Sequence, residues 1–219
     1  MRRLYVIGVG PGAPDLVTLR AVDRLKRSQV VFCPVRSPAD ESLAYETVKP
    51  HLKSGIKVVK VHFPMTKDRD ILQEAWSKVA KTIEEEPFSE ASFVVIGDPS
   101  FYCTFFYVYP LLRDVEIEVV PGVASFSACC ASLKLPLVLG GESLLVMSGA
   151  HSLEKERADA LVIMKPPRDA EKRRALVGFL KDKGYSKVFF ARRCQMEGEE
   201  ITSDLPEDYD YISMLIAKA

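Results

Sequence analysis

Three short segments place glycine, proline and one polar side chain where a chain turns, a pattern that suits holding a ligand by its backbone. Gly8-Val9-Gly10-Pro11-Gly12-Ala13 closes the apolar run Leu4 to Val9 and matches a dinucleotide-binding glycine loop in form. Pro11 has no N–H to offer a phosphate, Pro14 and Asp15 delay the helix, and no acidic residue ends the next strand to hold a ribose. NAD is therefore a poor fit, and a plain tight strand-to-helix turn is the competing reading. Gly97-Asp98-Pro99-Ser100-Phe101-Tyr102 follows the run Phe93 to Ile96, so a carboxylate stands at a strand's carboxyl end, where α/β sheets bind ligands. Gly, Asp and Pro are also ordinary turn formers. Pro121-Gly122-Val123-Ala124-Ser125 ends a third strand and opens a helix whose first N–H groups and Ser125 hydroxyl are available to a ligand. Phe63-Pro64-Met65-Thr66-Lys67-Asp68 adds a cation at a further strand end, with Asp68 near a helix start.

These loops need strands and helices to aim them, and the apolar spacing supplies both. Short apolar runs at Leu4 to Val9, Val30 to Val35, Ile56 to Phe63, Phe93 to Ile96 and Glu116 to Val120 read as strands. Helical spacing separates them. Thr18 caps a helix that turns Leu19, Val22 and Leu25 inward, another helix lies around Ser42 to Leu52, and Ile71, Leu72, Ala75, Val79 and Ile83 share one face of a third. Alternation of this kind predicts an α/β fold with a largely parallel first sheet and helices on both faces. After the small-residue helix near Ser125 to Leu133, strands are expected at Leu144 to Met147, Ala160 to Met164, Lys187 to Arg192 and Tyr211 to Ala217. A helix is expected over Asp169 to Lys183, with a hairpin arm at Glu199 to Thr202, so this second sheet should be mixed. The domains are set at 1–120 and 121–219.

Composition narrows the partners. With 47% apolar residues the 219-residue chain can bury a core. Thirty basic residues balance thirty acidic ones, which leaves no net field for nucleic acid. No apolar run reaches membrane-spanning length. Cys33, Cys103, Cys129, Cys130 and Cys194 have no metal-ligand spacing and are read as reduced, cytosolic thiols, with Cys129 and Cys130 packed in a helix. Cys194 is expected to be a buried inert thiol. His51, His62 and His151 are scattered, so no protein-bound metal is expected.

Taken in order and spacing, GVGPGAPDLVTLRA, GDPSFY and VVPGVAS resemble the tetrapyrrole (corrin/porphyrin) methylase family. FPMTKD, GDPSFY, SFSACCASLKLPL and GESLLVMSG resemble its precorrin-2 or cobalt-factor II C-20 methyltransferase branch. The resemblance implies a two-domain fold, an N-terminal mostly parallel sheet with flanking helices and a C-terminal mixed α/β domain, with S-adenosyl-L-methionine folded into the cleft between them. It also implies a homodimer acting on a small-molecule tetrapyrrole; the thiols, the balanced charge and the short apolar runs add a cytoplasmic location with neither nucleic acid nor membrane as partner. Carried over position by position, the donor contacts would be Pro11, Gly97, Asp98, Phe101, Ala124 and Ser125, with Met164 and the backbone near Cys194 from the second domain. Two departures from the family's pattern stand out: Lys165-Pro166-Pro167 follows Met164, and Arg193-Cys194-Gln195 stands where members of the family often carry small residues and Thr.

The ring of this branch bears several carboxylates, so cations at the site should orient it. Arg36 and Lys67 are the candidates, with Arg192 as a third, and Tyr102 could lie against the macrocycle. A solvated surface charge is the alternative reading of each cation. Transfer of a methyl from a sulfonium needs no enzyme nucleophile, and no catalytic side chain is assigned. Two rival functions remain at this point: another methylase of the family, including diphthine synthesis, and a nucleotide-dependent oxidoreductase or binding module using the glycine loop.

Overall fold

Leu4, Tyr5, Val6 and Ile7 are all fully buried in the computed structural model, as a strand covered on both faces must be. The structure describes residues 2–149 and 158–219, and His151 lies outside them. The chain divides into two compact units, the first ending at Ala124 and the second beginning at Ser125.

In the first unit the chain runs β1 (Arg2–Gly8), α1 (Leu19–Arg27), β2 (Val30–Val35), α2 (Leu43–Val48), β3 (Lys57–His62), α3 (Arg69–Glu85), β4 (Glu90–Val95), α4 (Phe105–Val108) and β5 (Val115–Val120). The strands lie in the order β3-β2-β4-β1-β5, every neighbour parallel. Side chains alternate across the sheet. Leu4 and Val6 join Phe32, Phe93, Phe105, Val79 and Ile83 on one face, while Tyr5 and Ile7 join Val31, Val94, Ala21, Leu25 and Val48 on the other. Local capping sets the helices. The Thr18 hydroxyl accepts from the Ala21 N–H to start α1, and the Asp68 carboxylate accepts from the N–H groups of Asp70 and Ile71 to start α3. At the other end of α3 the Arg2 guanidinium donates to the carbonyls of Ile83, Glu84 and Glu86 and lies 4.1 Å over the Phe88 ring.

Two expectations for these helices are corrected. Leu19 is 89% exposed, because Ala21 and Leu25, four residues apart on one face, take the core side and Leu19 lies off that stripe. Ile71 likewise faces outward, leaving Ala75, Val79 and Ile83 to the core.

The second unit contains α5 (Ser125–Leu133), β6 (Leu144–Ser148), β7 (Ala160–Met164), α6 (Ala170–Asp182), β8 (Lys187–Arg192), β9 (Glu200–Thr202) and β10 (Ser213–Lys218). Its strands lie in the order β6-β7-β10-β8-β9, with β6 and β7 parallel and the remaining pairs antiparallel, so the sheet is mixed. Leu161, Ile163, Leu215 and Phe190 pack against Leu176, Val177 and Leu180 of α6. Beneath α6 lies a fully buried cation. Arg173 donates to the carbonyls of Pro167, Arg168, Pro206, Glu207 and Asp208, so one guanidinium fastens two irregular segments to the helix.

The reading of five reduced thiols is corrected too, because Cys129 of α5 and Cys194 after β8 form a disulfide, while Cys33, Cys103 and Cys130 are free. The bond was invisible in the spacing because its partners stand 65 residues apart. A cross-link over that separation constrains the unfolded chain by about 4 kcal/mol on the chain-entropy account.

Arg173→Ala should lower stability by at least about 3 kcal/mol, since five carbonyls lose a charged donor in a dry place. Arg173→Lys should recover only part of that, because an ammonium cannot span both segments. Urea midpoints of the three proteins measure both effects.

Candidate functional site

Strand order brings the carboxyl ends of β4, β1 and β5 side by side, and the three glycine-bearing loops leave from those ends. Backbone joins the first two loops directly. The Gly10 N–H donates to the Gly97 carbonyl at 3.2 Å and the Gly97 N–H donates to the Gly10 carbonyl at 2.7 Å, just beyond the Val9 to Val95 hydrogen bond of 2.9 Å. Gly8 and Gly122 close the knot from below. A Cβ on Gly8 would stand 2.7 Å from the Gly122 nitrogen and the Gly97 carbonyl oxygen, and one on Gly122 would meet the Gly97 oxygen and stand 2.6 Å from the Gly8 oxygen. No side chain fits at either place.

Asp98 completes the arrangement. One carboxylate oxygen, Oδ1, accepts from the Ser100 N–H at 2.7 Å, and the other, Oδ2, accepts from the Gly122 N–H at 3.0 Å. The side chain thus fastens the second loop to the third. Each oxygen keeps a further lone pair for a ligand donor. Gly97 has φ +76° and open space where a Cβ would point, so the knot presents bare backbone on that side.

Of the residues expected at the site, Gly97 and Asp98 meet the loops carrying Pro11 and Ala124 within the first unit. Pro11 is buried, whereas Ala124 and Ser125 are half-buried. Phe101 and Tyr102 are 42% and 49% exposed, with Tyr102 held at φ 53°. In the second unit Met164 ends β7 and Cys194 follows β8. The turns beyond these strands are tied to the start of β10, as the Lys165 N–H donates to the Ser213 carbonyl and the Arg193 N–H to the Ile212 carbonyl. Lys165 and Arg193 both take left-handed backbone, at φ 54° and 50°.

The cations divide. Arg36 pairs with Asp40 at 3.4 Å, and Lys67 is exposed. Arg192 is held between Glu200 at 2.5 Å and Asp208 at 2.6 Å, which removes it from the substrate candidates. Those bonds also hold the Asp208 carboxyl below its ordinary range.

Free thiols contribute no nucleophile. Burial pushes Cys33 up to about 12, and burial also raises Cys103 and Cys130, so all three stay protonated near neutrality. The rings of His51 and His62 bond to the carbonyls of Pro14 and Arg36. Among the described residues no group of three His, Cys, Asp or Glu side chains is placed to hold a metal ion. The site can therefore bind and orient through backbone and one carboxylate. What sequence reasoning missed is the role of Gly8 and Gly122 and the bond from Asp98 to Gly122; the Asp-Pro-Ser turn after a strand was the available signal.

Gly122→Ala should force the loops apart and cost about 1–3 kcal/mol of stability. Amide exchange at Gly10 and Gly97 should accelerate with it, whereas Gly55→Ala, with nothing near its Cβ, should leave those amides protected.

Residues 3–207 match the family model of the tetrapyrrole (corrin/porphyrin) methylases. The chain is 32% identical, over its whole length and 96% of the relative's, to a probable cobalt-precorrin-2 C(20)-methyltransferase of Methanocaldococcus jannaschii. It is 34% identical to the cobalt-precorrin-2 C(20)-methyltransferase of Salmonella typhimurium, over 74% of this chain and 72% of that one. Its fold is shared with a uroporphyrin-III C-methyltransferase from Thermus thermophilus complexed with S-adenyl homocysteine. There the TM-score is 0.65 at 21% identity, covering 99% of this chain and 92% of the other. Glycine loops knotted at the ends of β1, β4 and β5 and a sequence match that spans both units lead to one conclusion: this chain is an enzyme of the tetrapyrrole methylase family, a methyltransferase.

Proposed function

We propose that the chain transfers a methyl group from S-adenosyl-L-methionine to carbon 20 of precorrin-2 or of its cobalt-containing counterpart, cobalt-factor II, in cobalamin biosynthesis. The relatives named for that reaction at 32% and 34% identity support the reaction class. The observation that carries the reading is the loop knot, in which Gly8 and Gly122 draw the loops together, Gly97 leaves a cradle of bare backbone open and Asp98 keeps lone pairs to accept from a ligand. Such a cradle fits a donor with an amino group, ribose hydroxyls and an adenine edge.

On this reading Pro11, Gly97, Asp98, Phe101, Ala124 and Ser125 hold the donor, with Met164 and the backbone of Cys194 from the second unit. The donor supplies an electrophilic methyl group when bound. The chain's part is to hold, orient and exclude water, and alignment of this kind is worth roughly 7–11 kcal/mol in well-ordered systems. Arg36 and Lys67 at neighbouring strand ends orient ring carboxylates, with Tyr102 against the macrocycle. Asp40 competes with the ring for Arg36.

The reading includes a cytoplasmic homodimer with neither nucleic acid nor membrane as partner. Among the described residues no helix is long and apolar enough to cross a membrane, and acidic and basic residues balance. Phe106, Tyr107, Tyr109 and Leu111 are all exposed on and after α4, a cluster of apolar side chains of the kind that marks protein contacts. Sedimentation should return twice the 24.5 kDa of one chain, and Tyr107→Glu with Tyr109→Glu should return one chain.

Anaerobic incubation of metal-free and cobalt-bearing rings with isotopically labelled donor, followed by mass analysis and NMR of the product, should show one label at carbon 20. Label at another carbon, or none with either ring, would refute the assignment. Asp98→Ala leaves the Ser100 and Gly122 N–H groups without their acceptor and should weaken S-adenosylhomocysteine binding at least about tenfold by calorimetry.

A further inference from the structure

The Cys129–Cys194 bond joins two segments that the proposed function places against the donor. Helix α5 begins at Ser125, and Cys129 lies four residues on, one turn further along the same helix face. Ser132 follows three residues later on that face and is fastened to the same turn as Cys194. Its hydroxyl accepts from the Gln195 side-chain amide at 2.6 Å and donates to the Glu199 carboxylate at 2.8 Å. The Glu199 carboxylate also accepts from the Gln195 N–H. One covalent and two hydrogen-bonded links thus run from a single stripe of α5 to residues 194–199.

The turn they grip is not one the chain would keep unaided. Arg193 and Gln195, on either side of Cys194, hold φ of 50° and 60°, which side-chain-bearing residues adopt only when something fixes them. Ties outside the turn do so: Arg193 donates from its N–H to the Ile212 carbonyl and from Nε to Asp210. Both sulfur-bearing residues are buried, Cys129 at 1% exposure and Cys194 at 4%, so small soluble thiols open the bond slowly and reduction needs excess dithiol and long incubation.

From this arrangement we infer that the Cys129–Cys194 disulfide is a positioning element of the methyltransferase, which holds the first turn of α5 and the backbone of Cys194 at the separation the donor requires. The inference rests on the donor site proposed above. Opening the bond takes two electrons and two protons. A dithiol such as dithiothreitol supplies them and leaves as a cyclic disulfide, and the chain gains two thiols. A small disulfide such as oxidised glutathione reverses the step and departs as two thiols.

The test begins with thiol titration of the unfolded, unreduced protein, which should find three reactive thiols, against five after full reduction. Titration of S-adenosylhomocysteine then compares oxidised, reduced and reoxidised protein. Affinity should fall about tenfold on reduction and return on reoxidation, through loss and recovery of preorganisation. In turnover, reduction should raise KM for the donor while kcat at saturating donor and KM for the ring hold steady. Circular dichroism checks that the reduced chain is folded, and the apolar pair Cys129→Ala with Cys194→Val gives a second folded form without the bond.

Five thiols before reduction, or equal donor affinity in the folded oxidised and reduced proteins, would overturn the inference and leave the methyltransferase reading standing. Oxidised protein that bound no S-adenosylhomocysteine would instead sink the donor site on which both rest.

Discussion

Crowding of backbone against backbone at the ends of three parallel strands is the constraint on which the rest of this enzyme depends. Gly8, Gly97 and Gly122 approach so closely that one methyl group on the first or third would collide with main-chain atoms of the others. Such an approach is possible because β4, β1 and β5 are neighbours in the sheet, which in turn requires the crossover that inserts β4 between β2 and β1. Burial of Leu4 through Ile7 on both faces fixes that central strand. The loops are therefore set by the core beneath them, and Asp98 locks the second loop to the third.

A site made of main chain suits a reaction whose difficulty is alignment. The free cysteines are held as thiols by burial and the histidines of the described residues bond to carbonyls. The second unit solves a similar problem by other means. Lys165, Arg193 and Gln195 are forced into left-handed backbone without glycine, and it takes β10, Asp210, the buried Arg173 and a disulfide to keep the surrounding segments in place.

Much of this was legible in the residues themselves. Glycine-bearing turns after apolar runs marked the strand ends, and the switch from a parallel to a mixed sheet followed from the spacing of helices in the two halves. Leu19 was misplaced because helical spacing fits more than one apolar stripe, and packing against the sheet selects the one through Ala21 and Leu25. The disulfide escaped notice because two cysteines 65 residues apart become neighbours only once α5 and the turn after β8 are folded. The double hydrogen bonding of Asp98 and the five-carbonyl grip of Arg173 are likewise products of tertiary approach, and no local pattern encodes them.

A crystal structure with S-adenosylhomocysteine bound would test the central claim most directly. The account predicts electron density for the ligand against the bare backbone of Gly97, with a hydrogen bond to Asp98 and contacts to Ala124 and Ser125. Density lodged away from these loops, with the knot untouched, would contradict it.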